Sequence, residues 1–306
     1  MNIYKYHTDP KHLLYYDRTV QFDDQIAFES DVGLFVPGDL NLTGYRSLTQ
    51  LPDNLKVDGE LNLSNTPLTQ LPNGLKVGGD LSLHNTPITE IPDDLEVRGE
   101  LNLSYTSITQ LPDDLEVRGG LNLRGTKITQ LPNGLKVGGE LSLGFTSITQ
   151  LPDDLEVRGG LNLRGTKITQ LPNRLKVSGD LDIVQLNITE LPYGLEVGGN
   201  LYAMDTRITE LPDDILIGDS LDLSLSDITE LPIGLKVGGD FNLSGAQITE
   251  LPDGLEVGGH LWLDDTEVTQ LPKGLRVRDD LSLVGTKITQ LPDDLEVGGE
   301  IKGFDG

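Results

Sequence analysis

The chain has 306 residues, of which 49 are Asp or Glu and 23 are Lys or Arg, so its formal net charge is −26 at neutral pH. This charge argues against direct binding to nucleic acid or to an anionic membrane, because phosphate contacts require clustered Lys and Arg. The chain has no cysteine. Disulfides, thiolate metal sites and cysteine nucleophiles are therefore excluded.

The first 33 residues do not repeat and contain a large share of the Tyr and Phe residues. Within them, Asp9-Pro10 is typical of a helix N-cap followed by proline at the first helical position. We predict an N-terminal cap over residues 1–33 with one short helix; a small separate binding element is the alternative. The start has no apolar stretch typical of a signal peptide, which favours the cytoplasm of a prokaryote or of a host cell.

Residues 34–306 are dominated by a phrase of twenty residues. The phrase LPDDLEVRGGLNLRGTKITQ begins at Leu111, recurs unchanged at Leu151, and recurs with variations in the other coils. We number each coil from its Leu-Pro pair, so that Leu111 is position 1 and Leu121 is position 11. A fixed period of this length predicts a solenoid in which each coil contacts only its neighbours. The segment is therefore predicted to be an array of about thirteen coils.

Each coil has two segments that favour extended structure. Apolar residues at positions 11 and 13 alternate with polar ones, which predicts a strand with one buried face. Val at position 7 indicates a second short extended segment, and Gly at positions 8 and 9, as in Gly138-Gly139, favours a tight turn. Thr at positions 16 and 19 is predicted to form structural rows of hydroxyls that satisfy buried turn groups.

The run from Leu121 to Leu135 reads LxLxxTxIxxLPxxL and resembles the bacterial leucine-rich repeat, with Thr where that family has Asn. The period is also that of short repeats in effector proteins secreted by Gram-negative bacteria, and similar arrays occur in bacterial and phage proteins. The resemblance implies a right-handed β-solenoid with a parallel sheet, little helix apart from the N-terminal cap, and protein recognition by the sheet.

Side chains at positions 10, 12 and 14 flank the buried leucines and are expected to face outward. Position 10 supplies a broken acidic stripe: Glu60, Asp80, Glu100, Glu140, Asp180, Asp240, Asp280 and Glu300. Like charges at strand spacing repel each other, so no structural role is expected for this stripe. It is interpreted either as solvated surface or as a field that attracts a partner. Position 6, in contrast, alternates between Lys and Glu and is expected to be compensated.

The coils over residues 91–170 are nearly copies, whereas residues 180–268 diverge at outward positions and place bulky groups among carboxylates. The predicted partner-binding residues are Asp182, Tyr202, Met204, Asp222, His260, Trp262 and Asp264. Trp262, the only tryptophan, is expected to point outward as an interface anchor. The alternative is drift among older repeats. A second aromatic pair, Tyr105 and Phe145 beside Arg124 and Arg164, is interpreted as a record of duplication.

No catalytic residue, cofactor or metal ligand is predicted. The four histidines are scattered, with no HExxH motif and no local Ser-His-Asp pattern. The sequence favours a non-enzymatic scaffold that captures a basic or neutral protein. Two alternatives remain open. One is a nucleic-acid mimic, possibly phage-encoded, that inhibits a DNA- or RNA-binding protein. The other is weak end-to-end pairing through the coil at Ile301-Lys302, instead of a monomer.

Overall fold

The structure, a computed structural model, describes residues 19–22, 25–30, 33–113 and 115–304. Contacts divide the chain into two compact units, one of residues 1–147 with 154–156 and one of residues 148–153 with 157–306. Every regular element in the described ranges is a strand. No helix there could cross a membrane. The short helix predicted at Asp9-Pro10 lies outside the described residues.

The described N-terminal elements form an antiparallel meander. It consists of β1 (Thr19–Phe22), β2 (Gln25–Ser30) and β3 (Gly33–Val36). β2 pairs with both of its neighbours in antiparallel register. β3 then pairs in parallel with the first short strand of the repeat, with Phe35 opposite Lys56. The boundary at residue 33 between a cap and the array stays a prediction.

A strand at positions 11 and 12 recurs in every coil, as the alternation of apolar and polar residues predicted. We call this set of strands the main row. Its members are β4 (Leu40–Asn41), β6 (Leu61–Asn62), β8 (Leu81–Ser82), β10 (Leu101–Asn102), β12 (Leu121–Asn122), β14 (Leu141–Ser142), β16 (Leu161–Asn162), β18 (Leu181–Asp182), β20 (Leu201–Tyr202), β22 (Leu221–Asp222), β24 (Phe241–Asn242), β26 (Leu261–Trp262), β28 (Leu281–Ser282) and β30 (Ile301–Lys302). Within each unit, parallel pairing places equivalent positions opposite one another, as for Leu101 and Leu121.

A second set of two-residue strands lies at positions 6 and 7, and we call it the second row. Its members are β5 (Lys56–Val57), β7 (Lys76–Val77), β9 (Glu96–Val97), β11 (Glu116–Val117), β13 (Lys136–Val137), β15 (Glu156–Val157), β17 (Lys176–Val177), β19 (Glu196–Val197), β21 (Leu216–Ile217), β23 (Lys236–Val237), β25 (Glu256–Val257), β27 (Arg276–Val277) and β29 (Glu296–Val297). The pairing in this row is interrupted between β9 and β11 and again between β21 and β23. The second row is therefore less regular than the main row.

The core of each unit is a stack of short aliphatic side chains from positions 1, 5, 7, 11, 13 and 18. Leu61, Leu63 and Leu68 in one coil, for example, have no exposed surface. Each such side chain contributes roughly 1.5–3 kcal/mol by leaving water. Phe241, which replaces Leu at position 11, is also completely buried. The predicted inward positions are confirmed.

The two predicted threonine rows behave differently. At position 16 the hydroxyl donates to the carbonyl oxygen of position 13 in the same coil, as from Thr126 to Leu123 at 2.7 Å. This satisfies a buried carbonyl, as predicted, although Thr166 lacks such a partner. At position 19 the threonines are exposed. Within the described residues, Thr229 is the only one of these threonines whose hydroxyl forms a hydrogen bond. The structural role predicted for position 19 is therefore wrong except at Thr229, because these threonines are exposed.

Glycine at position 9 suits the close approach of neighbouring coils. A Cβ built on Gly119 would lie 2.4 Å from the carbonyl carbon of Gly99 in the preceding coil. Gly119 is not among the residues with a positive φ. Glycine at this position therefore allows close contact between coils, whereas the sequence favoured a role in turning the chain; Asp219 and Asp279 show that two coils accept a side chain there.

Candidate partner-binding surface

All seven predicted partner-binding residues lie in the unit that contains residues 157–306, on or beside its main row. Strand register places Tyr202 between Asp182 and Asp222. Trp262 follows Asn242 further along the same row. Tyr202 and Trp262 are thus three strands apart, a separation of about 14 Å at ordinary strand spacing. The structure therefore brings the seven residues together as two clusters and not as one site.

The first group, which we call the tyrosine cluster, consists of Asp182, Tyr202, Met204 and Asp222. Tyr202 is 37% exposed, and a carboxylate-bearing strand flanks it on each side. Burial raises the pKa of the Tyr202 phenol. The charges of Asp180, Asp219, Asp182 and Asp222, in that order, raise the pKa further. The phenol therefore keeps its proton at neutral pH and lies in a field that favours a cation.

Both aspartates of the tyrosine cluster are held in place by the backbone. Oδ1 of Asp182 accepts the Val184 N–H at 3.0 Å, and Oδ1 of Asp222 accepts the Ser224 N–H at 2.9 Å. Asn makes the same bond in other coils, as from the Arg124 N–H to Asn122. Asp at position 12 therefore preserves the local turn and adds a negative charge that faces outward.

The aromatic residues at position 12, Tyr202 and Trp262, do not accept this backbone N–H. Neither the N–H of Met204 nor that of Asp264 has an acceptor within the described residues. Tyr202 and Trp262 therefore replace a residue that stabilises the turn with one that does not. Local structure does not account for an aromatic side chain at these two places, which makes them candidates for contact with a partner.

The second group, the tryptophan cluster, consists of His260, Trp262 and Asp264. Trp262 is only partly exposed. The rings of His260 and Trp262 are 5.3 Å apart at an interplanar angle of 36°. Asp264 Oδ1 accepts the hydroxyl of Ser282 and the N–H of Val284 in the next coil. The tryptophan cluster is thus less exposed than the sequence suggested. One carboxylate oxygen of Asp264 already accepts hydrogen bonds within the protein.

The position-10 stripe has a structural role that sequence reasoning did not find. In the 157–306 unit, each position-10 side chain from Asp180 to Asp280 accepts the backbone N–H of position 10 in the next coil. The bonds run from Asn200 N to Asp180 Oδ1, from Ser220 N to Asn200 Oδ1, from Asp240 N to Ser220 Oγ, from His260 N to Asp240 Oδ1, from Asp280 N to His260 Nδ1 and from Glu300 N to Asp280 Oδ1.

This ladder of hydrogen bonds explains why Asp, Asn, Ser and His all occur at position 10, because each has a short side chain with an acceptor atom. The expectation that the stripe has no structural role is wrong for these aspartates. The ladder also assigns a tautomer to His260. Since Nδ1 accepts a bond from Asp280 N at 3.1 Å, the ring proton lies on Nε2 in the neutral form.

The aromatic pair that the sequence attributed to duplication forms a contact cluster in the other unit. The guanidinium carbon of Arg124 is 4.6 Å from the Phe145 ring centre, and Arg124 Nε donates to the Tyr105 hydroxyl at 3.1 Å. Tyr105 and Phe145 are half exposed, and both have φ near 60°. Aromatic residues rarely adopt this left-handed backbone.

A repeat-to-repeat pattern marks these places in the sequence. Position 15 is Gly or Asn in half of the coils from Asn65 onward, and Tyr105 is followed one coil later by Gly125. A Cβ built on Gly125 would lie 2.7 Å from the Tyr105 ring. Leu225 is followed by Gly245 in the same way, with a Cβ distance of 2.7 Å. Glycine in the next coil thus leaves room for Tyr105 and for Leu225.

In the ranges that the structure describes, no three His, Asp or Glu side chains are grouped to hold a metal ion. In the 1–147 unit, burial raises the pKa of Glu100, and the charges of Asp80 and Glu140 raise it further. This shift arises from neighbours on the acidic stripe.

Comparison with known proteins supports the fold. No protein-family model matches the chain. No curated protein matches it either. Among solved structures, the leucine-rich effector protein YopM from Yersinia pestis is 17% identical, with a TM-score of 0.50 over 86% of this chain and 88% of that chain. A leucine-rich-repeat protein from Leptospira interrogans is 21% identical, with a TM-score of 0.49 over 86% of this chain and 90% of that chain. The fold is that of a bacterial leucine-rich-repeat solenoid, as the repeat resemblance implied.

Proposed function

We propose that this chain is a non-enzymatic scaffold that captures a basic segment of a partner protein, in the cytoplasm of a prokaryote or of a host cell. The observation that carries the proposal is the tyrosine cluster, in which a partly exposed ring lies between Asp182 and Asp222 on paired strands. A Lys or Arg side chain placed over Tyr202 would meet the face of the ring and a carboxylate on either side.

The spacing of the two clusters indicates the form of the partner. An extended peptide advances about 3.3 Å per residue, so side chains four residues apart would reach both Tyr202 and Trp262. Met204 adds a flexible apolar contact beside the first anchor. We infer that the bound segment runs along the main row, across its strands, with a basic residue at Tyr202 and a flat or apolar residue near Trp262.

The surface is also suited to binding without rearrangement. Asp182, Asp222 and Asp240 each accept a backbone N–H, so their carboxylates are already oriented. Side chains that are fixed before binding lose little conformational freedom on association. The free energy gained from charge and ring contacts is then available for affinity.

The position-10 carboxylates support nucleic-acid mimicry as a second candidate function. They recur at one per strand along parts of the row, as at Glu60, Asp80 and Glu100. The row is interrupted by Gly120 and Gly160, and the aspartate Oδ1 atoms are used within the protein. A mimic depends on a long unbroken acidic row, so the scaffold is the better-supported function.

Affinity capture with matched baits tests the proposal. The full chain, a Tyr202→Asn variant and an Asn122→Ser control are exposed to lysates, and bound proteins are eluted in steps of salt. We expect proteins with basic segments on the wild-type and control baits, with recovery reduced at least fivefold on Tyr202→Asn. Equal recovery on all three baits would contradict the proposal. Release of DNA-binding proteins by free DNA at modest salt would instead support mimicry.

A further inference from the structure

Three side chains in the 157–306 unit depart from the repeat on the side of the second row. From Leu51 onward, position 3 is Asp, Asn or Lys except at Tyr193 and Ile233, and position 6 is Lys, Glu or Arg except at Leu216. These three side chains are 64%, 91% and 60% exposed, respectively. Single exposed apolar residues are ordinary on a protein surface, so the significance of these three depends on whether they lie together.

The three departures occur in three consecutive coils. Leu216 and Ile233 line one open groove of about 770 Å³, together with Ile217 and Pro232. Tyr193 lies in the same position-3 row, two coils before Ile233. Drift would scatter apolar substitutions over the array, whereas these are concentrated at one place. We call this feature the apolar groove.

The apolar groove coincides with the interruption of the second row between β21 and β23. A Cβ built on Gly238 would lie 2.8 Å from the carbonyl oxygen of Gly218, whereas one built on Gly258 would lie 2.0 Å from that of Gly238. Neighbouring turns are therefore further apart at the interruption. Ile217 is partly exposed there, although Val237 at the same position of the next coil is buried.

The rim of the apolar groove carries compensated charge. Lys176 pairs with Glu196 at 2.6 Å, and Lys236 pairs with Glu256 at 2.9 Å. This differs from the main row, where the charges of four carboxylates act on Tyr202. A ligand of the groove would gain no advantage from positive charge, so charge complementarity favours an uncharged ligand.

A second copy of the chain is a poor fit to the groove. Two molecules with a net charge of −26 repel each other. The three side chains together expose on the order of 400 Å², about half of the ~800 Å² per partner in a standard protein interface. An area of this size suits one or two large side chains of a short segment.

We propose that the apolar groove binds an uncharged, apolar peptide segment of another protein. The segment places a large aliphatic or aromatic side chain against Leu216, Ile217 and Ile233. This site lies on a different strand row from the tyrosine cluster and takes ligands of different chemistry. It therefore goes beyond the scaffold function proposed above, and either proposal can fail without the other.

Selection from a random peptide library displayed on phage tests this site. The full chain is the target in 0.5 M salt, which suppresses binders to acidic surface, and a Leu216→Lys/Ile233→Asp variant removes background binders. Both substitutions restore residues that other coils carry, and thermal melting checks that the variant folds. We expect selected peptides to be apolar and uncharged. Their Kd should rise at least tenfold with the double variant and stay within twofold with Tyr202→Asn.

Three outcomes would overturn the proposal. The first is that no peptide distinguishes the wild-type chain from the double variant. The second is that the selected peptides are basic and lose affinity with Tyr202→Asn, which would assign them to the main row. The third is that sedimentation equilibrium shows a dimer of the wild-type chain that the double variant does not form, which would make a second copy the occupant.

Discussion

The coils that begin at Leu111 and Leu191 share one backbone pattern but place different residues on the main row. In the first coil Asn122 accepts the N–H of Arg124, whereas in the second Tyr202 occupies the same position and the Met204 N–H lacks an acceptor within the described ranges. Asn122 therefore stabilises its own coil, whereas Tyr202 is exposed on its coil without stabilising it. The following substitutions test this difference in role, from the largest expected effect to the smallest.

Leu123→Ala should have the largest effect on stability. Leu123 is completely buried at position 13 of a coil that is repeated almost unchanged. Removing its branched side chain should lower the free energy of unfolding by about 2–5 kcal/mol. Denaturation in urea provides the measurement. A loss below about 1 kcal/mol would mean that the aliphatic stack does not support the array.

Exchanging the residues at position 12 tests the comparison itself. Asn122→Tyr should lower the free energy of unfolding by about 1 kcal/mol, because the Arg124 N–H loses its acceptor. Tyr202→Asn should raise it by a similar amount and weaken partner binding. Urea denaturation of both variants is the measurement. If Tyr202→Asn destabilises the chain, Tyr202 contributes to the coil in a way that this structure does not indicate.

Substitutions at position 15 measure how much stability a large exposed residue costs the chain. Leu225 has φ of 57°, so Leu225→Gly should stabilise the chain by roughly 0.5–1 kcal/mol. Gly245→Ala is the matched change in the next coil, and it should destabilise the chain, mainly because φ is 67° there and also because its Cβ would lie 2.7 Å from the Leu225 side chain. Thermal melting of both variants should show shifts of opposite sign. Shifts of the same sign would contradict the cost assigned to a side chain on this left-handed backbone.

Glu100 should show the smallest effect and a dependence on pH. Its pKa is raised in the folded state, mainly by burial and then by Asp80 and Glu140. Folding therefore favours the protonated form, and the stability that the proton contributes at low pH is lost as pH rises through the folded pKa. Glu100→Gln should add a few tenths of a kcal/mol at neutral pH and nothing in acid. An equal gain at both pH values would exclude titration of Glu100 as the cause.

Most of the solenoid was predictable from the sequence because its period determines which residues face inward. Leucines at positions 11 and 13, and most valines at position 7 and threonines at position 16, are buried as predicted. The position-10 ladder was not predictable in the same way. Its bonds depend on how far a short acceptor side chain reaches toward the next coil, as from Asp180 to Asn200 N.

The candidate surfaces were only partly visible in the sequence. The divergence at Tyr202 and Trp262 could be read directly, but the covering of Trp262 by His260 depends on side-chain packing. Leu216 and Ile233 stand out as departures from the repeat. Their meeting in one groove follows from the local opening of the second row, which no residue pattern specified.

Isothermal titration of one captured partner against the wild-type chain and Tyr202→Asn tests the central claim most directly. The account predicts that the variant weakens binding at least fivefold, or about 1 kcal/mol, while Asn122→Ser leaves the affinity unchanged. An affinity that is the same for Tyr202→Asn and the wild-type chain would contradict the claim that the tyrosine cluster is the binding site.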